Sequence, residues 1–158
     1  MVRNATVADL DKIGEIYTAA RAFMRKTGNP TQWSGGYPSR EVSVDDIKCG
    51  KLFIVESCGV PCGVFYFNIG EDPTYLKIDG KWGSDTPYGV IHRIASDGTR
   101  GGVFGEALAF CKEQISHIRI DTHEDNSVMQ GVLARHGFEY CGTIYLENGD
   151  PRRAYELI

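Results

Sequence analysis

The stretch from Gly89 to Gln114, GVIHRIASDGTRGGVFGEALAFCKEQ, limits what this chain can fold into more than any other. It reads as a short apolar strand, a turn crowded with glycine around Arg100, and an amphipathic helix. Amide N–H groups in the first turn of a helix lack intrahelical partners, and the helix dipole favours an anion there, so this turn predicts a phosphate cradle. A nucleotide P-loop needs Gly-Lys-Ser/Thr, which occurs nowhere in the chain. A dinucleotide fingerprint needs G-x-G-x-x-G, and Gly98, Gly101, Gly102 and Gly105 do not fall at those offsets.

The rest of the chain supplies a mixed set of elements. Val2–Asn4 is a candidate edge strand, and Thr6 with Asp9 forms a capping pattern ahead of helically spaced Leu10, Ile13, Ile16, Tyr17 and Ala20. Thr27–Pro38 is a loop that carries Trp33 and Tyr37, either as a pocket wall or as a loop pinned by its aromatics. Ser43 and Asp46 are expected to cap a second short helix. Lys51–Ser57 and Gly63–Ile69 predict a hairpin across Cys58-Gly59-Val60-Pro61, whereas Glu71–Pro87 gives only weak signals. His117–Thr122 is a strand, Asn126 caps a helix that stops at Gly137, and Phe138–Leu146 and Arg153–Leu157 form a last hairpin across Asn148-Gly149.

At 158 residues with a net charge of −4, the composition is that of one globular domain spanning 1–158. An acidic balance disfavours nucleic acid as a partner, because phosphate backbones select basic faces. There is no apolar run of membrane-spanning length and no signal-peptide pattern, and five cysteines without a CxxC pair fit a reduced, cytoplasmic protein.

Arg100-Gly101-Gly102-Val103-Phe104-Gly105, placed directly before a helix, resembles motif A of the GNAT superfamily of N-acetyltransferases, Arg/Gln-x-x-Gly-x-Gly/Ala. Val103 stands where that motif has its middle glycine. Downstream, Asn126 at a helix start and Gly137-Phe138 followed by Gly142 resemble the family's motif B. The resemblance is good from Gly89 to Leu146 and weakest at Glu71–Pro87. It implies a single-domain α/β fold: a mixed, mostly antiparallel twisted sheet with helices on both faces. It also implies transfer of an acetyl group from acetyl-CoA directly to an amine of a small molecule or peptide, and it is compatible with a homodimer. Cofactor contacts carried over by the resemblance are Ile94, Ala95, Arg100, Gly101, Gly102, Val103, Phe104, Gly105 and Asn126; Asn126 is equally explained as an N-cap.

Direct transfer needs a proton acceptor for the amine and a donor for the departing thiolate. Where the family usually places a tyrosine acid this chain has Leu133, so Tyr145, on a strand after that helix, is the substitute candidate. His92 on the central strand is the candidate base, since histidine titrates near neutrality, although a histidine in an apolar strand also serves as a satisfied core residue. Arg93 is expected on the opposite face from His92. His117, Asp121 and His123 read as the lining of a wet cleft, as an exposed strand end, or as metal ligands, in falling order. With Leu133 and Val103 both departing from the pattern, the alternative to an enzyme is a non-catalytic acyl-CoA-binding or regulatory domain.

Overall fold

Apolar spacing builds the first helix. The computed structural model describes all residues from Met1 to Ile158, and it buries Leu10, Ile13, Ile16, Tyr17 and Ala20 along one side of α1 (Leu10–Lys26). The helix entry is fixed by Asp9, which accepts the Thr6 N–H at 2.8 Å and both Arg3 Nη groups at 2.8 Å. The hydrogen bond from Arg3 holds the Asp9 carboxyl at about 2, so the cap is anionic at neutral pH. The second helix, α2 (Arg40–Lys48), starts earlier than expected. Its cap is Ser39, whose Oγ accepts from the Val42 N–H at 3.3 Å, while Ser43 and Asp46 lie buried on its inner side.

Eight strands form one sheet in the order β1-β2-β3-β5-β6-β8-β7-β4, with only β5 and β6 parallel. These are β1 (Val2–Asn4), β2 (Leu52–Ser57), β3 (Val60–Ile69), β4 (Asp79–Gly80), β5 (Gly89–Ser96), β6 (Ile118–Thr122), β7 (Glu139–Tyr145) and β8 (Pro151–Leu157). The β2–β3 turn is made by Cys58 and Gly59, both left-handed at φ 52° and 76°, the pair of positive dihedrals a two-residue hairpin turn requires. Helices α3 (Val103–Lys112) and α4 (Ser127–Arg135) cover one face, where Phe53, Phe65, Ile91, Ala107, Ile118 and Leu133 share a core. Helix α1 covers the other face over Leu52, Ile54, Val64 and Ala95. Farther along that second face there is no α-helix, only a 3-10 turn at Pro73–Tyr75. Tyr75, Tyr88, Val90, Ile144 and Ala154 form a smaller core under the segment that joins β3 to β5.

Two irregularities in β5 shape everything that follows. Its pairing with β6 stops after Gly89↔Ile118 and Val90↔Arg119, so the sheet opens from Ile91 onward. Its pairing with β3 also slips, since Val64 faces Ala95 while Tyr66 faces His92, which leaves a bulge at Arg93 and Ile94. Arg93 itself is left-handed at φ 49°. The bulge resets the side-chain alternation, so His92 and Arg93 line the same cavity, contrary to the opposite-face expectation.

The β3 strand passes close under the start of α3. A Cβ added at Gly63 would sit 2.5 Å from Val103 Cγ1 and 3.3 Å from both Val55 Cβ and the Ala95 carbonyl. Gly63→Ala is therefore expected to destabilise the fold by about 1–3 kcal/mol through overpacking. Thermal unfolding should show a lowered midpoint, and combining it with Val103→Ala should recover part of the loss.

Candidate active site

The glycine turn is where the sequence places it, between β5 and α3. Gly102 caps α3 at φ 84°, and the first intrahelical bond runs from the Glu106 N–H to the Gly102 carbonyl at 3.1 Å. The amides from Gly102 to Gly105 thus precede any helical acceptor and are free to donate to an anion. Val103 does not obstruct them. Its side chain is turned inward, packs in the α3–α4 core and meets β3 at Gly63, so the departure from the glycine pattern leaves the outer side of the turn open. Arg100 lies over this turn with Nη2 on Glu106 Oε1 at 2.9 Å, Nη1 on the Gly101 carbonyl at 3.0 Å, and a buried Nε with no partner. An added Cβ at Gly102 would sit 3.8 Å from Arg100 Nη1, so a cation adjoins the free helix amides, and these residues fit the pyrophosphate that the resemblance implies.

A cavity of about 730 Å³ lies beside the opening between β5 and β6. Ile91, Ile94 and Ile120 line its apolar part, and His92, Asp72, Asp121, Arg93 and Arg152 its polar part. The aromatic loop supplies a wall through Thr31, Gln32, Trp33, Ser34 and Tyr37. That loop is also pinned: Trp33 stands edge-on to Tyr17 with ring centres 5.6 Å apart. Both readings of the loop therefore hold at once. Asn126 lines the cavity as well, but its side chain is already engaged: Oδ1 caps α4 by accepting from the Met129 N–H at 3.0 Å, and Nδ2 donates to Gln32 at 3.0 Å.

His92 is no core histidine. Its Nε2 is 2.6 Å from Asp72 Oδ2, and its Nδ1 is 3.8 Å from Asp121 Oδ2, which accepts the Tyr75 hydroxyl at 2.6 Å. Burial raises the Asp72 carboxyl, but the bonds from His92 and from Thr74 (N–H at 3.0 Å and hydroxyl at 2.7 Å) outweigh it and bring the group down to about 2. Asp72 is thus an anion that orients the ring. Burial first, then Asp121, raises Tyr75 well above the ordinary phenol range, so it acts as a fixed donor to Asp121. On the other side of the bulge, Arg93 forms a two-pronged pair with Asp46 at 2.9 Å through both Nε and Nη2, and its guanidinium covers the Tyr66 ring at 4.5 Å. The Arg93 carbonyl accepts the Tyr17 hydroxyl at 3.2 Å. The bulge is therefore held by α1 and α2.

Of the residues read from sequence, the structure brings His92, Ile94 and Asn126 into the cavity and gathers Arg100, Gly101, Gly102, Val103, Phe104 and Gly105 at the turn that follows β5, outside the cavity lining. Ala95 is buried under α1 instead. Tyr145 is placed elsewhere: it is exposed, outside the cavity lining, and donates to Asp79 Oδ2 at 2.7 Å. Leu133 is fully buried in the α3–α4 core. His117, Asp121 and His123 do not converge, since His117 pairs with Glu156, Asp121 faces His92, and His123 faces Thr31. The pairing of Asp72 with His92 and the place of Arg152 in the cavity are not legible in the sequence. Asp72 lies in the weakly patterned segment, and Arg152 precedes the point where the last strand is read to begin.

This architecture, a sheet that opens between β5 and β6 with a glycine turn capping the helix after β5, is that of an acyltransferase domain. The chain is 33% identical to a GNAT-family acetyltransferase from Streptococcus agalactiae, with a TM-score of 0.86 over 100% of this chain and 94% of that one. The chain belongs to the GNAT family of acetyltransferases. The fold is shared at lower identity with a ribosomal-protein-alanine N-acetyltransferase from Brucella melitensis (16%, TM-score 0.62, covering 100% and 99% of the two chains). It is also shared with Mycobacterium smegmatis RimJ in complex with CoA-disulfide (18%, TM-score 0.59, covering 99% and 80%). No protein-family model and no curated protein matches the chain. None of its helices is long and apolar enough to cross a membrane.

Proposed function

We propose that this chain acetylates the amine of a small molecule or peptide, with acetyl-CoA as donor, His92 as general base and Asp72 as the group that orients it. One observation carries the reading: His92, fixed by Asp72, faces the same cavity as Ile91, Ile94 and Ile120, which flank the opening between β5 and β6. Acetyl-CoA, when bound, supplies an acyl group already activated as a thioester. The Gly102–Gly105 amides and Arg100 would hold its pyrophosphate. Backbone groups of β5 and β6 beyond Val90 and Arg119, unpaired with each other, suit the amides of its pantetheine arm.

The chain's own residues account for the amine's proton. With Nε2 donating to Asp72, the basic lone pair is on Nδ1, facing Asp121 across 3.8 Å. That gap is too long for a direct hydrogen bond and suits an ammonium held by the Asp121 carboxylate and deprotonated by Nδ1. Neither Leu133 nor Tyr145 is positioned to return a proton, so solvent at the exposed rim around Glu147 and Asn148 serves that side.

The absence of a tyrosine at position 133 is the specific observation in favour of the second reading, a domain that binds acyl-CoA without turning it over. Thermal unfolding separates the possibilities, because a ligand present at 100 times its Kd stabilises the native state by about 2.7 kcal/mol. Stabilisation by acetyl-CoA together with thiol release on adding amines supports the enzyme. Stabilisation with no thiol release across an amine panel leaves only the binding reading, and stabilisation by Mg-ATP alone sinks both.

A further inference from the structure

Of the two guanidinium groups that line the cavity, Arg93 is paired with a carboxylate and the other is not. Arg152 is only 7% exposed, yet its sole hydrogen bond is from Nη1 to the carbonyl of its neighbour Pro151 at 2.8 Å. No carboxylate lies within ion-pair distance of it, a separation of 4.0 Å. The other charges that line the cavity are paired, hydrogen-bonded or solvated. Arg93 is held by Asp46, Asp72 by His92 and Asp121 by Tyr75, whereas Glu147 and Asp150 are on the exposed rim. A guanidinium that keeps N–H groups free at a cavity wall is suited, by its planar fork, to grip a carboxylate with two N–H groups.

The position of Arg152 on the sheet says what kind of anion it would meet. Asp121 on β6 faces Ala154 on β8, and Arg152 is two residues before Ala154 on the same face. Diagonal neighbours of this kind have their Cα atoms roughly 7–8 Å apart, within reach of long side chains. One end of the pair, Asp121 with His92, attracts an ammonium and can deprotonate it. The other end, Arg152, attracts an anion a few bonds away.

We infer that the acceptor is a small zwitterion, an amine that also carries a carboxylate, in the manner of a free amino acid, with Arg152 as its carboxylate-binding residue. This rests on the acyl-transfer reading of the cavity and names the substrate class for it. A polyamine would place a second positive charge against Arg152, and the lysine side chain of a protein would leave Arg152 unpaired. A site built to pair a charged group rejects analogues that lack the group far more strongly than an apolar pocket rejects a size change.

The test uses matched acceptors: free α-amino acids, each beside the amine left when its carboxylate is removed, for example phenylalanine with phenethylamine and lysine with cadaverine. Thiol release from acetyl-CoA is followed for the full chain and for Arg152→Gln and Arg152→Lys. The expected result is a kcat/KM at least tenfold higher for the carboxylate-bearing member of the productive pair. Arg152→Gln should erase that advantage through a 10- to 100-fold rise in KM for the carboxylate-bearing member, with a much smaller loss for the decarboxylated partner and the acetyl-CoA-induced rise in melting midpoint retained. Arg152→Lys, which keeps the charge without the fork, should fall between them. Thiol release with amines but without preference for the carboxylate, or equal losses for both members in Arg152→Gln, overturns this inference and leaves acyl transfer standing. No thiol release with any member overturns both.

Discussion

Replacing His92 by glutamine is expected to lower the turnover number by 10²- to 10⁴-fold, the range general-base catalysis contributes. Glutamine can still donate to Asp72 but has no basic nitrogen to offer the amine. The Gly102–Gly105 amides and Arg100 are untouched, so stabilisation by acetyl-CoA should persist, and this separates lost chemistry from lost binding. Asp72→Asn should cost less, about tenfold, because His92 remains but is no longer held by an anion 2.6 Å from Nε2. Thiol-release kinetics measure both. A His92→Gln protein that keeps more than a third of wild-type turnover removes His92 from the mechanism.

The largest effect on stability is expected far from the cavity, at Glu156. This side chain is 3% exposed and gathers four groups: His117 Nε2 at 2.7 Å, Arg119 Nε at 3.2 Å, the Gly83 N–H at 2.7 Å and the Cys141 thiol at 4.0 Å. The Arg119 guanidinium is itself sandwiched between Trp82 and Tyr88, 4.0 and 4.1 Å from their ring centres, and donates to the Ser84 carbonyl at 2.6 Å. Glu156→Ala leaves Arg119 buried without its counter-charge and should cost about 3–5 kcal/mol. For a chain of this size that corresponds to a melting midpoint lower by roughly 10–15 °C. Glu156→Gln, which can still accept from Gly83, should cost less. The cluster also bears on the site. It fastens residues 82–88 to the sheet, and the Tyr88 hydroxyl accepts the N–H of Asp72 at 3.0 Å. Loosening Glu156 should therefore slow turnover as well as lower stability.

Local signals in the chain carried much of this. The Asn126 cap, the glycine turn before α3 and the capping pair Thr6 and Asp9 act over three or four residues, and all stand where their spacing puts them. Misreadings arise where tertiary contacts decide. Ser43 and Asp46 have the spacing of a cap, but Ser39 takes that role, and Asp46 is recruited by Arg93, 47 residues away. The alternation of a strand puts His92 and Arg93 on opposite faces, but a bulge held by Tyr17 and Asp46 overrides it. The Glu71–Pro87 segment has little periodicity because side chains from β6 and β8 hold it in place of a regular ladder, and Asp72 is hidden there for that reason. Tyr145 has only its place in the chain order to recommend it, and the sheet carries it out to Asp79.

The central claim is that the Gly102–Gly105 turn and the opening between β5 and β6 form one continuous donor site facing His92. Residue-resolved amide NMR during titration with acetyl-CoA tests this most directly. The account predicts shifts concentrated at Gly101–Gly105, along Ile91–Ala95 and at Ile120–Thr122, with His92 among the affected residues. Saturable binding that leaves these amides unmoved and shifts others would contradict it.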